Sequence, residues 1–328
     1  MDTTNLLQDT YHRQFKYIRL SLTDKCNFRC QYCLPNGYIS TNYNSSLSTN
    51  EINNLVAAVV ELGVSKIRLT GGEPSLRNDL GSIIKIIKQF PQIETIALTT
   101  NAYKLQTQLD DYIHAGLTNL NISVDSLDPE HFKQITATNK LNYVLESLDY
   151  ALQSSIKKVK INTVLLKSNF GELTNFLNLL RQQNLDVRFI ELMRTNENQQ
   201  YFADNYLPAS QLIAELNARG WRNSTSGQND GPAKMFAHPG YLGKIGVIAP
   251  YSKDFCTGCN RLRFTHLGAL KLCLFGEQSY NLRDLMQNST QKAQLKQTII
   301  KLLTEKPKEH LLQQNKSGDV INFSKIGG

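Results

Sequence analysis

Six cysteines fall in two triplets, Cys26, Cys30 and Cys33 near the start of the chain and Cys256, Cys259 and Cys273 near its end, with none between. Scattered core cysteines would not segregate in this way. The first triplet reads Cys26-Asn27-Phe28-Arg29-Cys30-Gln31-Tyr32-Cys33, a CxxxCxxC spacing. Three thiolates so close in sequence can wrap one soft metal centre. A zinc site completed by a distant histidine and a cluster of free thiols are the alternatives, but tetrahedral zinc favours CxxC pairs with a fourth ligand nearby. The spacing therefore favours an iron–sulfur cluster, and three ligands on a four-iron cubane leave one iron open. The second triplet, a CxxC followed after 13 residues by Cys273, again offers three ligands and one open position. A zinc ribbon would want a fourth ligand, for which His238 and His266 are the nearby candidates. Arg261 and Arg263 stand in the spacer two residues apart, so an extended segment puts both on one side. That side is either a solvated strand face or an anion clamp beside a metal.

With the aromatic Tyr32 between its last two cysteines, the first triplet resembles the signature of the radical S-adenosylmethionine (SAM) superfamily. The resemblance implies a [4Fe-4S] cluster whose open iron binds the amino and carboxylate groups of SAM. An electron from that cluster would break a carbon–sulfur bond and give a 5′-deoxyadenosyl radical. Thr70-Gly71-Gly72-Glu73-Pro74 resembles the superfamily's GGEP segment, in which backbone approaches the methionyl amine of SAM; a plain tight turn is the alternative. Thr99, Ser123 and Met193 sit at or near the C-terminal ends of expected strands, the edge where parallel α/β folds assemble sites. SAM contacts are implied for Tyr32, Gly72, Ser123 and Met193.

Several features together resemble a narrower family, the GTP 3′,8-cyclases (MoaA) of molybdenum cofactor biosynthesis. They are the pairing of the two triplets, the run Cys259-Asn260-Arg261-Leu262-Arg263-Phe264, the segment Arg188-Phe189-Ile190-Glu191-Leu192-Met193 and the terminal Gly327-Gly328. The resemblance implies a second [4Fe-4S] cluster at Cys256, Cys259 and Cys273, with its open iron on the guanine of GTP. It also implies GTP contacts from Arg19, Lys66, Arg68, Thr99, Lys160, Arg188, Arg261 and Arg263, and a tail whose Gly327 and Gly328 reach into the active site. The expected product is 3′,8-cyclo-7,8-dihydroguanosine triphosphate, passed to cyclic pyranopterin monophosphate synthase, with an external electron donor and room for a homodimer. A radical SAM enzyme that modifies peptides is the alternative. Four positions depart from the family pattern: Ser75 replaces a common Leu, Ala102 a common Gly, and Arg194 and Thr195 follow Met193 in place of an acidic and a small residue.

The elements that must position these residues alternate along the chain. Strand patterns cover 17–23, 64–70, 95–99, 118–124, 158–165 and 186–192, and helical periodicity covers 49–63, 80–90, 105–115, 143–154, 173–183 and 209–218. Ser48 and Glu51 have capping-box spacing, and Gly116 sits where a helix should end. Such alternation means parallel crossover units, in an open doubly wound sheet or a partial barrel; the resemblance selects an α/β partial (β/α)6 barrel. The polar stretch 223–232 marks a boundary between a core over 1–227 and a C-terminal auxiliary-cluster region over 228–328. The 328 residues carry a net charge of +8, ample chain for a core without disulfides. No dense basic run with interleaved aromatics suggests nucleic acid, and no apolar run approaches the roughly 20 residues of a membrane span. Residues 1–15 lack the apolar core of a signal peptide, so a cytoplasmic location is the default.

Overall fold

The computed structural model describes residues 7–39, 45–225 and 231–327. Six strands, β1 (Tyr17–Ser21), β2 (Lys66–Thr70), β3 (Thr95–Thr100), β4 (Asn119–Ser123), β5 (Lys158–Leu165) and β6 (Asp186–Glu191), pair in parallel and in chain order. An order that never reverses has no topological switch point, which rules out the doubly wound alternative and leaves the partial (β/α)6 barrel. The crossovers are carried by α1 (Thr49–Glu61), α2 (Leu80–Lys88), α3 (Leu109–Ala115), α4 (Pro129–Thr136), α5 (Leu141–Gln153) and α6 (Leu173–Gln182). At the start of α1 the capping box is formed, with Ser48 accepting from Glu51 N and Glu51 accepting from Ser48 N. Gly116 ends α3 at φ +115°, a left-handed conformation that a side chain would disfavour.

Alternate residues along each strand enter different environments. Ile18, Leu20, Ile67, Leu69, Leu98 and Ile122 join one apolar cluster with Leu55 and Val59 of α1 and Ile83 and Ile87 of α2. Each buried aliphatic side chain of this kind contributes about 2 kcal/mol. The intervening residues, among them Arg19, Lys66, Arg68, Asn121, Asn162 and Arg188, line the interior instead. The barrel wall is thus apolar outside and polar within.

The C-terminal third covers both edges of the six-stranded core. After α7 (Gln199–Asn205) and α8 (Ala209–Ala218), β7 (Arg222–Ser224), β8 (Lys234–Ala237) and β9 (Lys244–Ile248) extend the sheet beyond β6. On the other edge, β10 (Arg261–Phe264) pairs with β1 in parallel, aligning Tyr17 with Arg261 and Arg19 with Arg263. Two antiparallel strands, β11 (Ala269–Lys271) and β12 (Tyr280–Asn281), follow it, and α9 (Lys292–Leu303) packs on α1. Arg283 Nε donates to Glu51 Oε1 at 2.7 Å, tying this region to the first helix of the core.

Two local expectations change. Residues 105–115 form a short 3-10 turn (Leu105–Thr107) and then α3, broken at Gln108. Helix α4, which the periodicity did not reveal, is started by Asp128, whose side chain accepts from His131 N, and by Pro129 in its first turn. The expected boundary at 227/228 lies outside the described residues. Among the described residues, no helix is long and apolar enough to cross a membrane.

Candidate active site

The loop after β1 carries the first triplet and is fixed by backbone contacts to its neighbours. Leu22 N donates to Thr70 O, Gly72 N to Thr23 O and Glu73 N to Lys25 O at 2.7–2.8 Å, so the loops after β1 and β2 are zipped together. The glycine pair is required by this approach: a Cβ on Gly71 would stand 2.3 Å from Thr23 O, and one on Gly72 2.2 Å from Lys25 O. Arg29 N and Gln31 N donate to Thr136 O and Ile135 O at the end of α4. The helix missed in the sequence is therefore one of the supports of the cysteine loop.

Cys26, Cys30 and Cys33 line a cavity of about 1040 Å³ together with Tyr32, Gly72, Thr99, Ser123 and Met193. All four expected SAM contacts are thus brought together at the C-terminal ends of the strands. Tyr32 Oη donates to Asp125 Oδ2 at 2.8 Å, and Asn198 Nδ2 donates to the carbonyls of Tyr32 and Met193. Burial and then Glu73 push the Cys26 thiol up to about 12; burial and then Cys26 do the same to Cys33. Burial also pushes Asp125 up to about 6.

A second cavity of about 1070 Å³ lies deeper in the barrel and is lined by Cys256, Cys259 and Cys273. Arg19, Lys66, Arg68, Arg188, Arg261 and Arg263 line it as well, so six of the eight expected GTP contacts converge there. Thr99 lies in the wall of the first cavity but accepts from Arg68 Nη1 at 3.0 Å, which joins it to the cation group. Lys160 is not part of either lining; it lies buried on β5, 3.7 Å from Asp186, which also holds Lys158 at 3.2 Å. Burial alone would raise the Cys259 thiol, but Lys306 and Arg261 outweigh it and hold it at about 7. Burial pushes Arg263 down, and Arg19 down to about 10, with neighbouring arginines adding to both shifts. So many cations in a small space repel one another; a unit pair at 4 Å is worth about 4 kcal/mol at an effective dielectric near 20, which an anionic ligand would reverse in sign.

Asn162, Ile190 and Met193 line both cavities, so the two meet at the ends of β5 and β6. The C-terminal tail enters at that junction. Asn196 N and Glu197 N donate to Val320 O and Ile321 O, and Phe323 and Ile326 pack in an apolar cluster that includes Phe275, Met193, Cys33 and Cys273. Gly327 O accepts from Arg263 Nη1 at 2.5 Å and from Arg19 Nη2 at 3.4 Å. At φ +67°, and with Thr70 Cγ2 2.2 Å from where a Cβ would sit, position 327 admits only glycine without displacement. Gly328 lies outside the described residues.

Three of the four departures use their own side chains, and nothing in the structure explains the fourth, Ala102. Ser75 donates from its backbone N and its hydroxyl to the buried Glu73 carboxylate, and Thr195 exchanges capping hydrogen bonds with Asn198. Arg194 Nη2 turns to Gln199 Oε1 on α7. Ala102 sits at φ +59°, the left-handed region where glycine carries no penalty.

Sequence reasoning passed over Tyr17, Asn121, Lys306 and His310, all in the second lining, and placed Asn162 on one strand face with Lys158 and Lys160 without giving it a role. Tyr17 and Asn121 were findable, since each stands two residues from an expected site residue on the same strand face, Arg19 and Ser123. Among the described residues nothing donates to the buried Asn121 Oδ1, while its amide donates to Asn162 Oδ1 at 3.4 Å.

The donor sets suit iron–sulfur clusters. Each triplet lines the wall of its own cavity and offers three thiols, the donor type that a cubane takes one to each iron.

Comparison with known proteins gives concordant results. Residues 20–180 match the model of the radical SAM superfamily, and residues 185–312 match that of the molybdenum cofactor synthesis C-terminal family. A curated relative, the GTP 3′,8-cyclase of Tolumonas auensis, is 46% identical over 324 residues, covering 98% of this chain and 96% of the relative. Among solved structures, SuiB of Streptococcus suis bound to S-adenosylmethionine aligns with a TM-score of 0.62 at 10% identity, over 87% of this chain and 69% of that one. Native anSMEcpe with bound AdoMet aligns with a TM-score of 0.53 at 12% identity, over 88% and 84% of the two chains. These two likenesses are of fold alone.

Proposed function

The chain belongs to the GTP 3′,8-cyclase family of radical SAM enzymes, and we propose from that premise a role for each wall of its two cavities. Its activity is the conversion of GTP to 3′,8-cyclo-7,8-dihydroguanosine triphosphate in molybdenum cofactor biosynthesis, and its cofactors are SAM and two [4Fe-4S] clusters. The identity over nearly the whole chain favours this over the peptide-modifying alternative.

Cys26, Cys30 and Cys33 would hold one cluster and Cys256, Cys259 and Cys273 the other. When bound, the first cluster with SAM supplies a carbon radical able to remove a hydrogen atom from the ribose of GTP. Tyr32, Gly72, Ser123 and Met193 orient SAM. Arg19, Lys66, Arg68, Arg188, Arg261 and Arg263 hold the triphosphate, with Thr99 positioning Arg68 and the buried Lys160 adding its charge from β5 outside the lining. Asn121 Oδ1 accepts from a hydroxyl or N–H of the nucleotide, which places the sugar beside Asn162, where the cavities meet. The tail, ending in Gly327 and Gly328, closes that junction against water and ties Arg19 and Arg263 together.

In this reading residues 1–227 generate the radical and give Arg19, Lys66, Arg68 and Arg188 to the triphosphate, while 228–328 carry the second cluster and add Arg261 and Arg263. The product passes to cyclic pyranopterin monophosphate synthase, the electron comes from an external donor, and the enzyme works in the cytoplasm, as a monomer or a homodimer. The observation that carries the reading is the meeting of two three-cysteine cavities, one of them lined by seven Lys and Arg side chains, at Asn162 and Met193. Anaerobic turnover with GTP, SAM and a reductant tests it. A product isomeric with GTP, separated from it by chromatography and identified by loss of the ribose H3′ signal and an upfield shift of guanine H8, is expected; unchanged GTP from fully loaded enzyme would reject it.

A further inference from the structure

Of the four residues that β1 and β2 contribute to the second cavity, Arg19, Lys66 and Arg68 are cationic and Tyr17 is not. Tyr17 is only 6% exposed. Arg68 Nε donates to its Oη at 2.6 Å, and the Lys66 ammonium stands 4.8 Å from the ring centre. In the sheet it is flanked by Lys66 on β2 and Arg261 on β10, and Arg263 lies beside Arg19 one step along. Across the cavity the ionisable groups are Arg188, Lys306, His310 and the second cysteine triplet. Among the described residues, the charged side chains that line this cavity are therefore cations.

We propose that Tyr17 is the internal counter-anion of this cation cluster, ionised in the nucleotide-free protein and reprotonated when the triphosphate of GTP takes over the cations. The proposal rests on the reading of this cavity as the triphosphate pocket. One proton moves, from solvent to the phenolate oxygen, and no electrons are transferred. Burial alone would raise the phenol, but Arg68, Arg19 and Lys66 outweigh it and hold it at about 6. A bound polyanion cancels their field, and burial then favours the neutral phenol. Proton uptake on binding makes GTP affinity fall as pH rises above that value, by up to about tenfold per pH unit for a single group. Tyr17 thereby keeps the cations compatible with a buried site while the substrate is away.

Isothermal titration of GTP into the anaerobic, cluster-loaded protein at pH 8, in two buffers of different ionisation enthalpy, reads the protons taken up per nucleotide. GTP itself is close to fully ionised at that pH. The wild type should take up close to one proton more than Tyr17→Phe, and its Kd should weaken up to about tenfold more between pH 7 and 8. Equal uptake and parallel pH profiles would overturn the proposal. Absence of GTP binding would instead reject the pocket reading. Lys306, Arg263 and His310, all pushed down by burial, are the other groups able to gain a proton. If Tyr17→Phe does not fold, the ultraviolet difference spectrum of the wild type decides: loss of tyrosinate absorbance on GTP binding supports Tyr17, and an unchanged tyrosine band overturns it.

Discussion

Around Cys26, Cys30 and Cys33 burial raises the thiols and the carboxyls of Glu73 and Asp125 add to it, whereas around Cys256 and Cys259 the nearby charges are Arg13, Arg261 and Lys306. The two sites have the same three-thiol donor set and opposite surroundings. Acids beside the first disfavour any gain of negative charge there, while cations beside the second attract an anion and keep it. Donor type thus selects the kind of centre, and the surrounding charge decides which task each centre can serve.

The largest effect expected from perturbing this contrast comes from the donors. Cys30→Ser and Cys259→Ser should each abolish product, and each should lower anaerobic iron from about eight to about four per chain. Loss of all iron from either variant would show that the sites are not independent. Removal of Gly327-Gly328 should leave iron content and SAM binding intact while product formation is lost. Normal product from the truncated enzyme would remove the tail from the mechanism.

Next in size is the cationic wall. Arg263→Leu removes both a cavity cation and the donor to Gly327 O, and should lower kcat/KM for GTP by about 10²-fold or more. SAM affinity, measured by equilibrium binding, should stay within twofold. A parallel loss of SAM binding would mean that the cavities are not distinct.

Smaller effects concern how the second site is anchored. The hydrogen bond from Arg283 holds the Glu51 carboxyl at about 2, below the 4.5 of an unperturbed Glu. A depressed acid stabilises the fold above its unfolded value and loses that contribution as pH falls through the folded one. Between pH 4.5 and 2 the wild type should therefore lose about 1–2 kcal/mol, allowing for solvent at this rim, and Glu51→Gln should flatten that part of the profile in denaturant titrations. The smallest effect is expected at Ala102, in the loop after β3. Ala102→Gly relieves the φ +59° backbone and should raise stability by about 0.5 kcal/mol, seen as a slightly higher Tm.

The barrel was legible because its strands are punctuated by helices with clear periodicity; β5 spans Lys158–Leu165, as the pattern indicated. Cysteine spacing exposed both donor sets for a similar reason, since ligands from one loop leave a local mark. The C-terminal strands left none: β7, β11 and β12 are two or three residues long and are defined by their partners. Helix α4 was hidden by its mean polarity, although Asp128-Pro129 announced its start. Lys160 shows a further limit, because its strand face was readable but its approach to Asp186 on β6 depends on register, which alternation alone does not supply.

The pairing of β1 with β10 brings Tyr17 beside Arg261 across more than two hundred residues of chain. Contacts so distant in sequence are slow to form, since a long loop must close before any of them contributes. During synthesis the β1 edge must therefore wait, with unpaired backbone groups, until most of the polypeptide has been made. Expression yield should accordingly respond more to chaperone supply and to temperature during translation than the equilibrium stability of the finished protein would suggest.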